Sequence, residues 1–246
     1  PNRPSRLWII DFLMVITIIA SGSSGNAYTV SDGKTTLLLD AGKPIQAIKT
    51  ALNFRVHELD GCLITHEHGD HVKAAAALAK AGIGIYASRG TIEAARLAGH
   101  RIHPVKALEA IQIQTFTVLP FDVQHDAQEP LGFLITSTET GEKLLYFTDT
   151  YYVKYKFDGL THIMGECNYS NDIVKANVAA GTIPARLAAR VFFSHMSIET
   201  FIEFIKANDM SRLRQIYLLH MSDNNSNVEN FKKEIQALTG AEVYVC

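Results

Sequence analysis

The feature that most constrains this chain is the way its apolar runs end. Short stretches rich in leucine, isoleucine, valine and phenylalanine recur, and they close on residues able to hold a metal or a proton. LLLD ends in Asp40, LIT runs into His66, DVQ into His125, and LLYFTD ends in Asp149. HIMGE ends in Glu166, VFFS runs into His195 and IYLL into His220. Apolar runs this short, bounded by turn residues, read as buried β-strands. In sheet-based enzymes ligands gather beyond the carboxyl ends of the strands. One histidine or aspartate there is ordinarily a solvated strand end, but a series drawn from His, Asp and Glu is the donor set of a metal site.

The strands expected are Val15–Ala20, Ala27–Ser31, Thr35–Ala41, Gly61–Thr65, Gly84–Ala87, Ile111–Val118, Asp122–His125, Gly132–Thr136, Lys143–Asp149, His162–Glu166, Val191–Ser194, Ile216–Leu219 and Glu242–Val245. Segments of helical period lie at Pro44–Leu52, His71–Ala81, Thr91–Ala98, as a pair across Asn171–Arg190, and at Ile198–Ala207 and Asn227–Thr239. The last opens on a capping box, Ser226 with Glu229, and stops at Gly240. Asp32-Gly33 marks a hairpin turn. The first strands come without helices between them, so a doubly wound sheet fits less well than two packed sheets with helices outside, an α/β (α+β) arrangement. No repeat, low-complexity tract or charge run divides the chain. Residues 14–246 therefore read as one domain behind an N-terminal extension, 1–13, with Met14 as a candidate natural start. Leu7–Ala20 follows Arg3 and Arg6 and mimics a signal peptide. Asp11 interrupts it, however, and it is shorter than the ~20 residues a membrane span needs.

Composition removes some function classes. The 246 residues hold 23 Lys plus Arg against 25 Asp plus Glu, a formal net charge of −2. With 47% hydrophobic residues the chain is not of the disordered class. Its charge balance gives no support to a strongly basic nucleic-acid binder, while leaving room for a local basic groove. Cys62, Cys167 and Cys246 form no CxxC pair, which argues against a disulfide framework and for a reducing compartment, the cytoplasm. Ten histidines are the outlier.

The densest of the polar strand ends is Thr65-His66-Glu67-His68-Gly69-Asp70-His71. His66 and His68, two apart in an extended stretch, point the same way and can share one ion. Gly69 permits a sharp turn, after which Asp70 and His71 open an alanine-rich helix and can reach a second ion. Glu67 then points away, as a surface or supporting carboxylate.

This HxHxDH pattern, with His125, Asp149 and His220 after it, resembles the signature of the metallo-β-lactamase fold superfamily. The resemblance runs over nearly the whole chain from Met14. It implies a four-layer αββα sandwich of two mixed sheets with helices outside and two divalent metal ions, zinc or manganese, at one edge. By that resemblance His66, His68 and His125 hold one ion, Asp70, His71 and His220 the other, and Asp149 bridges them. Ser21–Asn26 (SGSSGN), LLLDAG at Leu37–Gly42, HDAQEPLGF at His125–Phe133, SHMS at Ser194–Ser197 and LLHMSDNNS at Leu218–Ser226 are similar to the YycJ/WalJ-type branch. Its members imply a cytoplasmic, metal-dependent DNA exonuclease acting from 5′ ends. Glu166, His195 and His220 are also similar to the arrangement in the tRNA 3′-processing ribonuclease Z, where a Glu–His pair beside the metals assists proton transfer. The chain departs from the branch at Glu166-Cys167-Asn168-Tyr169, where Asn-His is usual, and at Ser194, where a glycine commonly precedes the histidine.

The expected chemistry follows from two ions a few ångströms apart, which make hydroxide available from a shared water and clamp the attacked phosphoryl oxygens. A metal-bridging hydroxide attacks in line, Asp70 acts as ligand and orienter, and His195, held by Glu166, protonates the leaving oxygen. The alternative for Glu166–His195 is a pair that only steadies the ligands. Asp40 is expected to hydrogen-bond a ligand histidine. Ser21, Ser23, Ser24 and Asn26 form either a phosphate-binding loop or an ordinary flexible turn. Tyr151, Tyr152, Lys154 and Lys156 are either base and phosphate contacts or a solvated loop. Arg186, Arg190, Arg212 and Arg214 are candidates for a positive groove. His57, His100, His103 and His162 match no motif position. These readings describe a hydrolase of phosphodiesters, a nuclease of exonuclease type whose substrate is nucleic acid, DNA before RNA, with no membrane partner. The alternatives are a hydrolase of a lactone, thioester, lactam or cyclic phosphate, and a metal-stabilised binding module without catalysis.

Overall fold

Three successive leucines show how the molecule is layered. Leu37 and Leu39 point into a core shared by two sheets, and Leu38, between them, points the other way into a core shared with helices. Side chains alternate along a strand, so an unbroken apolar run means a strand covered on both faces. The computed structural model describes residues 13–246. Most of the expected extension, 1–12, with the first part of its apolar run, lies outside the described residues.

The first sheet has six strands in sequence order: β1 (Val15–Ala20), β2 (Ala27–Ser31), β3 (Thr36–Leu39), β4 (Gly61–Leu63), β5 (Ile85–Ser88) and β6 (Ile102–Val105). The second has seven: β7 (Ile111–Ile113), β8 (Phe116–Asp122), β9 (Leu131–Ser137), β10 (Lys143–Phe147), β11 (His162–Glu166), β12 (Gln215–Leu219) and β13 (Glu242–Val245). Each sheet begins as an antiparallel meander and continues as parallel strands, from β3 to β6 and from β10 to β13. Parallel neighbours need crossover connections. These carry the helices α1 (Ile45–Ala51), α2 (Gly69–Val72), α3 (Ala75–Lys80), α4 (Arg89–Ala94), α5 (Asn171–Ala179), α6 (Ala185–Ser194), α7 (Ile198–Ala207) and α8 (Val228–Thr239).

Phe116, Phe133, Tyr146 and Met164 of the second sheet meet Tyr28, Leu37, Leu39 and Leu63 of the first. Ile48 and Leu78 of α1 and α3 cover the outer face of one sheet. Phe201, Phe204, Phe231 and Ile235 of α7 and α8 cover the other. The result is the four-layer αββα sandwich.

Local expectations failed where tertiary context decided. Val191–Ser194 is the last turn of α6, not a strand. VFFS is too short to separate a strand from a helix end by pattern, and the ARLAA before it carries the helix through. Ile111–Val118 is two strands, β7 and β8, folded back at Gln114, whose φ is +50°. Asp122–His125 is not a strand of its own, because β8 ends at Asp122 and the chain then leaves the sheet. His71–Ala81 divides into α2 and α3. β6 has no counterpart among the expected strands; it is an edge strand, where its Pro104 costs no ladder bond. The cap of α8 is Asn227, whose side chain accepts from Asn230 N, and Ser226 donates instead to Ser222 O. Gly240 ends α8 in the left-handed conformation at φ +70°, and Asp32-Gly33 turns β2 into β3.

Candidate metal centre

The polar strand ends converge at one edge of the sandwich. Asp40 follows β3, His66 follows β4, His125 follows β8, Asp149 follows β10, Glu166 closes β11 and His220 follows β12. Three of these, Asp40 at φ +56°, Asp149 at +47° and His220 at +53°, are non-glycine residues in the left-handed region. Aspartate and histidine tolerate that region better than β-branched residues, and such conformations collect at functional sites. The kink turns each side chain inward at the point where its strand stops.

Two backbone turns hold the HxHxDH segment in place. Ala41 N donates to His71 O and Asn26 N to Asp70 O, both at 2.7 Å, and Gly42 N donates to Asn26 O at 2.8 Å. Gly42 is required by this close approach, since a Cβ there would stand 1.6 Å from Asp70 O. Gly69 is not required: it lies at the start of α2, and a Cβ there would meet nothing within 4 Å. The sharp turn expected at Gly69 is thus an ordinary helix start.

Three imidazole nitrogens meet at one point. His66 Nε2 lies 3.1 Å from His68 Nδ1, which lies 3.2 Å from His125 Nε2. Asp149 Oδ2 stands 3.8 Å from both His66 Nε2 and His125 Nε2. The tautomers follow from their partners. Asp40 accepts only, so the Thr65 hydroxyl donates to it, and His66 Nδ1 must then donate to Thr65 Oγ1 at 3.0 Å. His125 Nδ1 donates to Ser194 O at 3.1 Å. Both rings therefore turn an Nε2 lone pair towards the same point, and the single Nδ1 of His68 cannot satisfy both. A cation can. A tetrahedron with ligand bonds of ~2.1 Å has donors about 3.4 Å apart, and the separations here bracket that value. The residues fit a divalent ion.

Asp149 joins this group to two others. Its Oδ2 is 3.4 Å from His71 Nε2, which is 3.7 Å from Asp70 Oδ2. Its Oδ1 accepts from His220 Nδ1 at 2.7 Å. Ligand-type atoms of Asp70, His71 and Asp149 thus cluster together, as do those of Asp149, Glu166, His195 and His220. His220 stands with the Glu166–His195 pair, while its shared partner Asp149 also faces Asp70 and His71.

Electrostatics follow from the same geometry. Burial and the neighbouring His71 hold His66 well below the usual imidazole range. Burial also disfavours charge on His71, but Asp149 and Asp40 outweigh it and push that group up to about 10. Burial alone would raise the carboxyl of Asp149; His71 and His220 instead hold it well below its ordinary value. Glu166 behaves likewise through His195, and His195 is raised because Glu166 overcomes its burial.

The remaining sequence candidates divide into those the structure brings in and those it leaves out. Asp40, fully buried, accepts from Thr65 N at 2.8 Å, Tyr146 OH at 2.6 Å and His71 Nδ1 at 2.8 Å. Asn26 Nδ2 reaches His71 Nε2 at 3.1 Å, and Ser21 Oγ accepts from Tyr28 OH and from His220 N. Ser23 lines a cavity of ≈ 470 Å³ over the cluster, while Ser24 O accepts from Lys43 Nζ. Glu67 turns away to accept from Gln128 N at 2.8 Å. Lys154 is engaged with Asp122 at 2.6 Å. Arg214 pairs with Glu142 near the start of β11, away from Arg190, so the four arginines do not form one groove. The sequence does not mark Tyr146 as part of the candidate site. It sits mid-strand in an apolar run, and nothing local signals that its hydroxyl reaches Asp40.

The family model described as beta-lactamase superfamily domain matches residues 35–221. The chain belongs to that superfamily, the metallo-β-lactamase fold hydrolases. Within it the chain is similar to the exodeoxyribonuclease WalJ of Streptococcus pneumoniae strain D39, 31% identical over 225 residues, covering 85% of this chain and 82% of the relative. It is also similar to the exodeoxyribonuclease YycJ of Bacillus anthracis, 30% identical over 223 residues, covering 85% and 83%. Among solved structures, the metallo-β-lactamase fold protein YhfI of Bacillus subtilis superposes with a TM-score of 0.73 at 17% identity, covering 95% of this chain and 96% of that one. That last likeness concerns the fold alone. No helix among the described residues is long and apolar enough to cross a membrane.

Proposed function

We propose that this chain is a dinuclear metal-dependent phosphodiesterase, an exonuclease acting on DNA. The observation that carries the reading is the pair of Nε2 lone pairs of His66 and His125 facing His68, with Asp149 linking them to Asp70 and His71. The exodeoxyribonuclease names of two relatives at 30–31% identity support the substrate class.

His66, His68 and His125 would hold one ion and Asp70 and His71, with His220, the other, with Asp149 between the two groups. Two divalent ions bound there, zinc or manganese, would supply a nucleophilic water at neutral pH and offset charge on the attacked phosphoryl oxygens. Asp40 is the support of His71: its carboxylate accepts the hydrogen bond from Nδ1–H and so aims Nε2 at the site. Asp70 also orients the attacking water. His195 is the general acid. Its Nδ1 donates to Glu166 Oε1 at 2.6 Å, which leaves Nε2 to carry a proton into the cavity that His195 lines. Ser23, at the mouth, offers a hydroxyl to a phosphate. The unpaired thiols of Cys62, Cys167 and Cys246 support a reducing compartment, the cytoplasm.

A cavity of ≈ 470 Å³ also suits a small diester, lactone or thioester, which keeps a second reading in play. The deciding experiment incubates the protein with 5′-phosphorylated DNA, RNA of the same sequence, a generic phosphodiester and a lactone, each with Mn²⁺ or Zn²⁺ and a chelator control. Metal-dependent release of nucleotides from DNA is expected. Turnover of only the small esters, or none, overturns the nuclease reading.

A further inference from the structure

Apart from Ser194, whose carbonyl orients His125, the cavity-facing residues of helix α6 take no part in the candidate metal centre. Leu187, Arg190, Val191 and Ser194 line the cavity, and they occupy the i, i+3, i+4 and i+7 positions of one helical face. Arg190 brings a permanent positive charge to that lining. Its nearest carboxylate is Asp126 at 3.8 Å, with the two side chains 70% and 53% exposed, so the pairing is weak and exchangeable. Arg186 lies one turn earlier on the same side, exposed and without an ion pair among the described residues. Leu187, an apolar side chain that follows Arg186 in the helix, stands 49% exposed at the cavity wall. An exposed leucine and an arginine thus share one wall of the cavity. The arrangement matches a strand that alternates phosphates with apolar base and sugar faces.

We propose that this face of α6 is a wall that binds the single-stranded end of a polynucleotide, resting on the nuclease reading above. Arg190 holds the phosphate next to the one cleaved, Arg186 holds the following phosphate, and Leu187 packs against the intervening nucleoside. Arginine suits the task because its planar fork matches phosphate oxygens. The wall guides the strand and contributes nothing to bond cleavage, so its signature lies in KM and in salt dependence.

Each phosphate contact on a single strand contributes about 0.7 to the slope of log affinity against log salt. The double variant R186Q/R190Q keeps the apolar stems and removes both charges. Binding of a fluorescent phosphorothioate oligodeoxynucleotide by the metal-loaded protein is read by anisotropy from low to high salt, with KM on the ordinary oligonucleotide measured alongside. The slope is expected to fall by about 1.4 and KM to rise at least tenfold. The control R212Q, near Gly159 and away from the cavity, leaves both values unchanged. A double variant with wild-type slope and KM overturns the wall while the wild type still degrades DNA. A wild type that neither binds nor degrades the oligonucleotide overturns both readings.

Discussion

Glu166 and His195 are separable from the proposed metal ligands by what their atoms already do. Glu166 is fully buried, and its Oε2 accepts from Thr150 N at 2.8 Å while Oε1 faces His195. A carboxylate spent this way orients its partner. Replacing His195 with glutamine removes the transferable proton and leaves the His66–His68–His125 cluster in place. Turnover is expected to fall about 10² to 10⁴-fold, the usual range for losing a general acid. Metal content measured by elemental analysis should stay at the wild-type level, and a parallel loss of metal and turnover would remove the acid role. Tyr146→Phe tests the support of Asp40 at the same scale. It deletes one hydroxyl that donates to a buried carboxylate and should cost about 1.5–3 kcal/mol in urea unfolding. A variant as stable as the wild type would mean that Thr65 and His71 already satisfy Asp40.

At the scale of elements, much of the candidate site is legible in the sequence because strand ends carry their chemistry there. A ligand-type residue closing an apolar run needs only the run to be recognised, which is why Asp40, His66, Asp149, Glu166 and His220 stand out from the sequence alone. Contacts remote in sequence were not legible: Tyr146 to Asp40 and Asn26 to His71 depend on how two sheets stack and how two turns interlock. Helix α6 failed for the opposite reason, since a local apolar run has no period long enough to declare itself. The two glycines beside the site show the same limit. Composition treats Gly42 and Gly69 alike, but only Gly42 is pressed against another backbone. Gly42→Ala should destabilise by about 3 kcal/mol, at the upper end for overpacking. Gly69→Ala should instead stabilise by up to about 1 kcal/mol through helix propensity. Denaturant titrations of both variants check the pair, and similar losses in both would show that the close approach at Gly42 is not decisive.

For the whole molecule, a site built at one edge of two sheets requires that the sheets keep their relative position. Part of that task falls at the far end from the metal centre. Asp32, in the turn between β2 and β3, is 1% exposed and accepts from Thr35 N at 2.9 Å and Lys34 N at 3.1 Å. Its Oδ2 accepts from Thr115 Oγ1 and Ser137 Oγ, both at 2.7 Å and both belonging to the second sheet's side. Burial pushes this carboxyl up, but the hydroxyl and amide donors outweigh it, and the group titrates below its ordinary value of 3.8. A carboxyl lowered on folding contributes stability that is complete above its unfolded pKa and fades as pH falls through the folded one. Asp32→Ala should therefore cost about 3 kcal/mol near neutrality, since it strands buried donors from both sheets. The gap between variant and wild type should hold from pH 7 to about 5 and narrow below about 4, because acid protonates the wild-type carboxylate and removes the same advantage. Urea unfolding across that range is the measurement, and a gap that does not change with pH would mean that the two sheets are held together without the charge on Asp32.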